Sequence, residues 1–285
     1  MKKKRKKSRI YEVWRRLKRN KLAVVSLVVL ILLYLMAIFA PLLAPHHYST
    51  QNTSNIFEGS SAQFLMGTDR LGRDTLSRLI YGSQQSLSMG LIAVAIAATI
   101  GVTYGAISGF FGGWVDNICM RFLDIYQSLP MFLLAITLAA ILGPSFRNAI
   151  LALGISSVPI YARIMRAAVL TVREKEYVEA VKAINAGNAR IIIRHIVPNT
   201  MAPILVEITM GMGVTILAGA ALSFIGLGVQ PPSPEWGAMI SDARGYMREN
   251  PTLALYPGIF IMLTVLSFNL LGDGLRDALD PRLRN

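Results

Sequence analysis

The stretch EYVEAVKAINAGNARIIIRHIVPN, residues 176–199, is a charged segment in an otherwise apolar chain. Glu176, Glu179 and Lys182 recur at three-residue spacing, while Tyr177, Ala180, Val181 and Ile184 fall on another face, which predicts an amphipathic helix. The pattern breaks at Asn185–Asn188, resumes in ARIIIRHIV and is stopped at Pro198. A disordered loop would not need Tyr177, Ile184 and three consecutive isoleucines. The stretch therefore predicts a folded, polar elbow over about 170–198.

What the elbow joins follows from its flanks. The chain has 285 residues, 53% of them hydrophobic and 16% charged, against about 25% charged in soluble domains. Residues 1–21 hold twelve Lys/Arg and one acid, Glu12, and LAVVSLVVLILLYLMAIFAPLLA (22–44) carries no charge. At about 1.5 Å per residue that run crosses a hydrocarbon core of about 30 Å. It is longer than a signal-peptide core and no small-x-small cleavage site follows, so it reads as an uncleaved first helix. After a polar segment at 45–83, apolar runs recur at 84–110, 127–143, 149–168, 199–225 and 252–272. The expectation is an all-α membrane protein with six transmembrane helices, 84–272 forming the core and 273–285 a terminal tail.

Charge placement sets the orientation. With both termini cytoplasmic, 23 of the 29 Lys/Arg fall in cytoplasmic segments and six outside, as the positive-inside rule requires. The net charge of +13 sits at the edges of apolar runs, which argues for contact with anionic lipid and against nucleic acid. Gly101, Gly105 and Gly109 in the second span, and Gly211, Gly213 and Gly219 in the fifth, are small-residue packing signals.

Catalytic signatures are missing from the sequence. It contains no GxxxxGK[ST], HExxH, CxxC or GxSxG. His46 and His47 read as a solvated interfacial pair, His195 as a polar interface residue and Cys119 as a small buried one. Glu207 is the clearest intramembrane charge, and two readings of it stand: a residue lining a pathway, or a structural residue paired or neutral against a neighbouring helix.

At these residues the chain resembles a known family. Glu179-Ala180-Val181, then Asn185, then His195-Ile196-Val197-Pro198 match the spacing of the EAA loop of importer-type ABC transporter permeases. Val181, Asn185, His195 and Val197 depart from that loop's Ala, Gly, hydrophobic residue and Leu. Asn tolerates positive φ best after Gly, so the turn survives, and Gly187 offers further relaxation. MGTDRLGRDTLSRLIYGSQQSL (66–87), LSFIGLGVQPPSPEWGAMISDAR (222–244) and LGDGLRDALDPRLRN (271–285) are similar to the C-type permease subunit of dipeptide and oligopeptide importers.

The resemblance implies a type I importer permease fold in a bacterial or archaeal cytoplasmic membrane. It implies partners: a homologous B-type permease, two ATPase subunits that bind ATP and Mg, and an extracytoplasmic solute-binding protein. This chain itself would bind no cofactor or metal and catalyse nothing. The elbow would be a coupling helix seated on an ATPase, with Glu176, Tyr177, Glu179, Ala180, Val181, Lys182, Ala183, Asn185, Ala186, Gly187, Arg190, Arg194, His195 and Pro198 as its residues. On the outer side, Asp69, Arg73, Asp74 and Trp236 would meet the binding protein or shape a gate, Trp236 at the membrane interface, unless they serve only to hold the loops together. Nickel or glutathione import by the same machinery, and an ATPase-independent channel or scaffold, remain alternatives.

Overall fold

A computed structural model describes residues 9–280; the expectations for 1–8 and 281–285 lie outside the described residues. The spans are α2 (Lys21–Ile38), α4 (Thr75–Phe111), α7 (Phe146–Leu170), α10 (Val197–Phe224) and α12 (Thr252–Leu279), with a bent pair, α5 (Gly113–Tyr126) and α6 (Met131–Leu142). Short helices complete the chain: α1 (Arg9–Leu17), α3 (Ala40–Leu43), α8 (Glu176–Ala183), α9 (Asn188–Ile191) and α11 (Trp236–Ala243). Five helices are long and apolar enough to cross a membrane, and six spans result if the bent pair counts as one.

The bent pair differs from the single span expected at 127–143. Its halves meet at 76°. Pro130 lacks an N–H and disfavours helical backbone at Leu129, so the chain breaks there. Twelve-residue α6 rises only about 18 Å, too little to cross alone. Amphipathic α5, expected as a connecting segment, is instead helix tied to α7: Arg166 grips Asp116, and Arg163 donates to Asp124 at 2.6 Å. Only Leu123 of α5 is buried, so Cys119 is partly exposed rather than buried.

Other helices run past their apolar runs. Helix α4 begins at Thr75, inside the segment read as a loop, because the Asp74 carboxylate caps it by accepting from the Ser77 N–H at 2.9 Å. Its 37 residues span about 56 Å. Helix α12 continues to Leu279, where Arg16 of α1 donates to the carbonyls of Ala278 and Asp280, satisfying groups that a helix end leaves open. Helix α2 stops at Ile38, since the chain turns at Phe39 before Pro41.

The core is built on close helix approach. Helices α4 and α7 pack along the face of Gly101, Gly105 and Gly109; a Cβ at Gly105 would lie 2.2 Å from the Ala162 carbonyl oxygen. Only glycine permits that separation. The small residues of α10 serve likewise, Gly219 against Met89 and Gly211 against Tyr161. Helix α2 lays Ala23, Leu30, Leu33 and Ala37 into the same core and leaves Leu22, Leu32 and Ile38 exposed, as a lipid-facing helix would.

At one end of the bundle, residues 66–78 form a charged knot. Gly72, at φ +69, closes the turn, and the Asp69 carboxylate accepts from the N–H groups of Leu71 and Arg73 and from Arg73 Nε at 2.6 Å. Arg73 and Arg78 also reach Asp242 of α11, at 3.4 and 3.7 Å. Arg73, Asp74 and Arg78 are buried. Of the histidine pair read as solvated, His47 is exposed, while His46 is partly buried: its ring lies 3.6 Å from Asp74 and packs on Phe64. The opposite end holds α1, the end of α12 and the entry to α10.

Candidate functional site

The elbow leaves α7 after Leu170 and forms α8, a turn, α9, and a π-helical turn at Ile192–Ile196 that runs into α10. Glu176 and Glu179 lie in the first turn of α8, where carboxylates favour the exposed N–H groups. Asn185 takes φ +56, the left-handed conformation expected of it. Gly187 sits at φ −61 and supplies no such relaxation.

Pro198 does not stop the helix, contrary to the sequence reading. Without an N–H it cannot bond to a carbonyl four residues back, and its ring displaces that turn. The ladder widens to accommodate it: the Val197 N–H donates to the Ile192 carbonyl, five residues back. The elbow and the fifth span are therefore joined by a continuous, locally widened rod.

The elbow has two faces, and the inner one is not the face expected. Val178 is fully buried, with Val172, Ile191 and Ile196, against Ala106 of α4, Met165 and Val169 of α7 and Ile204 of α10. Arg173 donates to the Gly109 carbonyl at 3.2 Å, and the Lys182 ammonium lies 5.6 Å from the Phe110 ring centroid, tying the elbow to the end of α4. Of the four residues read from the sequence as the apolar face, Val181 packs partly buried against the inner cluster, while Tyr177, Ala180 and Ile184 point outward instead, Ile184 with 77% of its surface exposed. They form a stripe beside exposed Glu176, Glu179, Ala183, Arg190 and Arg194. Among the described residues, Glu176, Glu179, Arg190 and Arg194 make no ion pair within the chain. Ala186 also packs against the inner cluster, and His195 is partly buried. An amphipathic helix that buries one apolar residue and exposes three is built to be covered on its second side.

Glu207 lies half-buried on α10, and the Tyr161 hydroxyl donates to its main-chain carbonyl at 3.5 Å. Pro203, Glu207, Met210, Val214 and Leu217 share one face of α10, fully or partly exposed along its length.

The outer candidates lie inside the chain rather than on its surface. Trp236 is fully buried, not interfacial: its N–H donates to Ser86 Oγ at 3.2 Å and its indole Nε1 to the Leu79 carbonyl at 3.1 Å. Asp69, Arg73 and Asp74 close the knot described above, so their geometry is that of loop anchors. Glu235, which caps α11 and accepts from Ser86 Oγ at 2.8 Å, completes this anchor; it lies in the 222–244 stretch quoted above but was not singled out there. Arg78 and Asp242 also lie in the quoted stretches, but their pairing spans 164 residues of sequence and no local pattern encodes it. Among the described residues no group of three His, Cys, Asp or Glu could hold a metal.

Comparison with known proteins places this geometry. Residues 101–285 match the binding-protein-dependent transport system inner membrane component, and residues 8–60 match the N-terminal transmembrane domain of oligopeptide transport permease C. The chain is 48% identical to the dipeptide transport system permease protein DppC of Alkalihalophilus pseudofirmus, over 96% of this chain and 90% of that one. It is 43% identical to the glutathione transport system permease protein GsiD of Escherichia coli, over 96% and 91%. In fold it is similar to a chain of the MetNI methionine ABC transporter in an inward-facing conformation, with a TM-score of 0.60, 18% identity, and coverage of 72% of this chain and 97% of that one. The chain belongs to the multi-pass inner membrane components of binding-protein-dependent ABC importers, among the C-type permeases of the dipeptide and oligopeptide group.

Proposed function

We propose that this chain is one of two permease subunits in an ATP-driven importer of short peptides, with a homologous B-type permease, two ATPase subunits and an extracytoplasmic binding protein as partners. It lines half the pathway and binds no nucleotide; ATP and Mg sit on the ATPases. Both termini and the elbow face the cytoplasm. The observation that carries the reading is the two-faced elbow: Val178 fastens it to the bundle while Tyr177, Ala180 and Ile184 stand exposed beside unpaired charges. Closure of the ATPases on ATP pushes that outer stripe, and the widened rod at Ile192–Ile196 passes the motion into α10. The helix bundles then rock between inward- and outward-facing states.

Glu207 fits the pathway side of this account. A carboxylate at membrane depth is costly against lipid and faces protein or water. The exposed α10 stripe that carries it therefore turns toward the partner permease or the pathway. Peptide is the substrate class favoured by the relatives' names, and glutathione, itself a short peptide, is the second reading favoured by the 43% relative.

The test is Ala180→Arg and Glu179→Lys in the assembled transporter. Uptake should fall at least tenfold while the binding protein still docks. Normal uptake by an intact variant complex would refute the coupling role.

A further inference from the structure

One feature of the inner end lies beside the elbow, away from its outer stripe. A cavity of about 410 Å³ opens between α1, the first turns of α10 and the last turns of α12. Its walls are mostly apolar, with Val13, Leu17, Met201, Leu205 and Leu275 among them. Trp14 and Arg16 stand at the α1 side. The Arg16 guanidinium is already held by the carbonyls of Ala278 and Asp280. Around it, Arg15, Lys18, Arg19 and Lys21 are exposed, with the Lys18 ammonium 5.0 Å from the Trp14 ring centroid.

We propose that this cavity holds one acyl chain of an anionic membrane phospholipid, whose phosphate rests against the cations of α1 and the α1–α2 turn. The proposal rests on the membrane placement of the chain and not on the coupling role of the elbow.

Three arguments select that occupant. The first is volume. At about 30 Å³ per water-sized unit, the space takes roughly fourteen, the scale of a single hydrocarbon chain. The second is polarity. Besides the Trp14 indole, only Glu12, Arg16 and Asn199 bring polar side chains to the lining, and Arg16 and Asn199 are already bonded within the chain, so most of the wall offers ordered water no partner. The chain's own N-terminal segment, KKKRKK at residues 2–7, is fully charged and suits an apolar cavity no better. The third is charge and position. Helix α1 is basic and exposes Tyr11 and Trp14, the composition of a helix lying in the bilayer interface, where anionic headgroups gather against Lys and Arg.

The consequence is mechanical. The α10 wall, Pro198 to Leu205, follows directly on the widened turn of the elbow. A bound chain would wedge α1 and α12 against the part of α10 that the elbow moves.

The experiment is native mass spectrometry of the full-length chain, with whatever subunits accompany it. The protein is stripped of lipid in mild detergent and then exposed to vesicles of phosphatidylglycerol or phosphatidylcholine. Wild type should retain one phosphatidylglycerol per chain, with at least tenfold preference over phosphatidylcholine. Ala202→Trp, which fills the cavity, should lower retention at least tenfold. Lys18→Glu with Arg19→Glu leaves the packed interior untouched; it should abolish the headgroup preference, and it decides the matter if Ala202→Trp does not assemble. Equal retention by wild type and both variants overturns the proposal. So does a lipid-free wild type whose second permease is lost on Ala202→Trp, since protein would then occupy the cavity. Transport is not the readout, so failure of the coupling account would leave this result standing.

Discussion

Val178→Ala separates the two faces of the elbow. Val178 is fully buried in the cluster that fastens α8 to α4, α7 and α10. Removing two carbons forfeits about 0.8 kcal/mol each in transfer free energy. If the site does not collapse, a residual space of roughly 50 Å³ adds about 1.2 kcal/mol at about 24 cal/mol per Å³. The loss is therefore between about 1.5 and 3 kcal/mol, or roughly ten- to a hundredfold in the population with the elbow detached. Hydrogen exchange on the ATPase-free permease reads that population, because the amides of α8 exchange when the elbow opens. Peptides covering 174–192 should exchange faster by that factor, while those of α12 stay unchanged. Tyr177→Ala, one residue away on the exposed face, should leave exchange within about twofold. Unchanged exchange in Val178→Ala, or equal acceleration in both variants, would refute the two-faced description.

Other consequences follow from the same packing. Gly105→Leu must push α7 away from α4, because the Ala162 carbonyl already lies 2.2 Å from the position of a Cβ; overpacking costs about 1–3 kcal/mol or more, and thermal unfolding should show it, with Gly258→Ala in α12, which meets nothing within 4 Å, as the control that does not destabilise. Arg73→Ala should cost about 3 kcal/mol, the low end for breaking a buried ion pair, since Arg78 still faces Asp69 and Asp242; proteolysis at the outer loops reports it, and undiminished resistance would contradict the anchor role. Glu207→Gln should leave assembly intact and lower uptake several-fold; unchanged uptake would favour the structural reading of that residue.

Much of this was legible in the sequence because membrane solvent imposes strong patterns. Five spans announced themselves as long apolar runs, three of them (22–44, 84–110 and 252–272) without a charge, since every backbone group inside lipid must be satisfied by helix. The Gly101–Gly105–Gly109 face predicted close packing, and Asn185 predicted a left-handed turn. The bent span was misread because three charges interrupt α5, Asp116, Arg121 and Asp124, and its place is fixed by Asp116–Arg166 and Asp124–Arg163, pairs that no local pattern encodes. The inner face of α8 was misassigned because eight residues make only two turns, and apolar residues at 177, 178, 180, 181 and 184 leave two faces equally plausible. Val178 wins because α4, α7 and α10 converge above it. Trp236 misled for a related reason: an indole suits an interface, but here two hydrogen-bond partners draw it into the core.

The central claim, that the outer stripe of the elbow is where the ATPases press, is tested most directly by cross-linking. Cys119 is the sole cysteine, so Cys119→Ser with Ala180→Cys carries a single thiol on that stripe. A short thiol-to-amine reagent applied to membranes should join this chain to an ATPase subunit, and the same reagent on Cys119→Ser alone should not. If the ATPases copurify with the Ala180→Cys protein but never cross-link to it, they grip the chain elsewhere and the account fails.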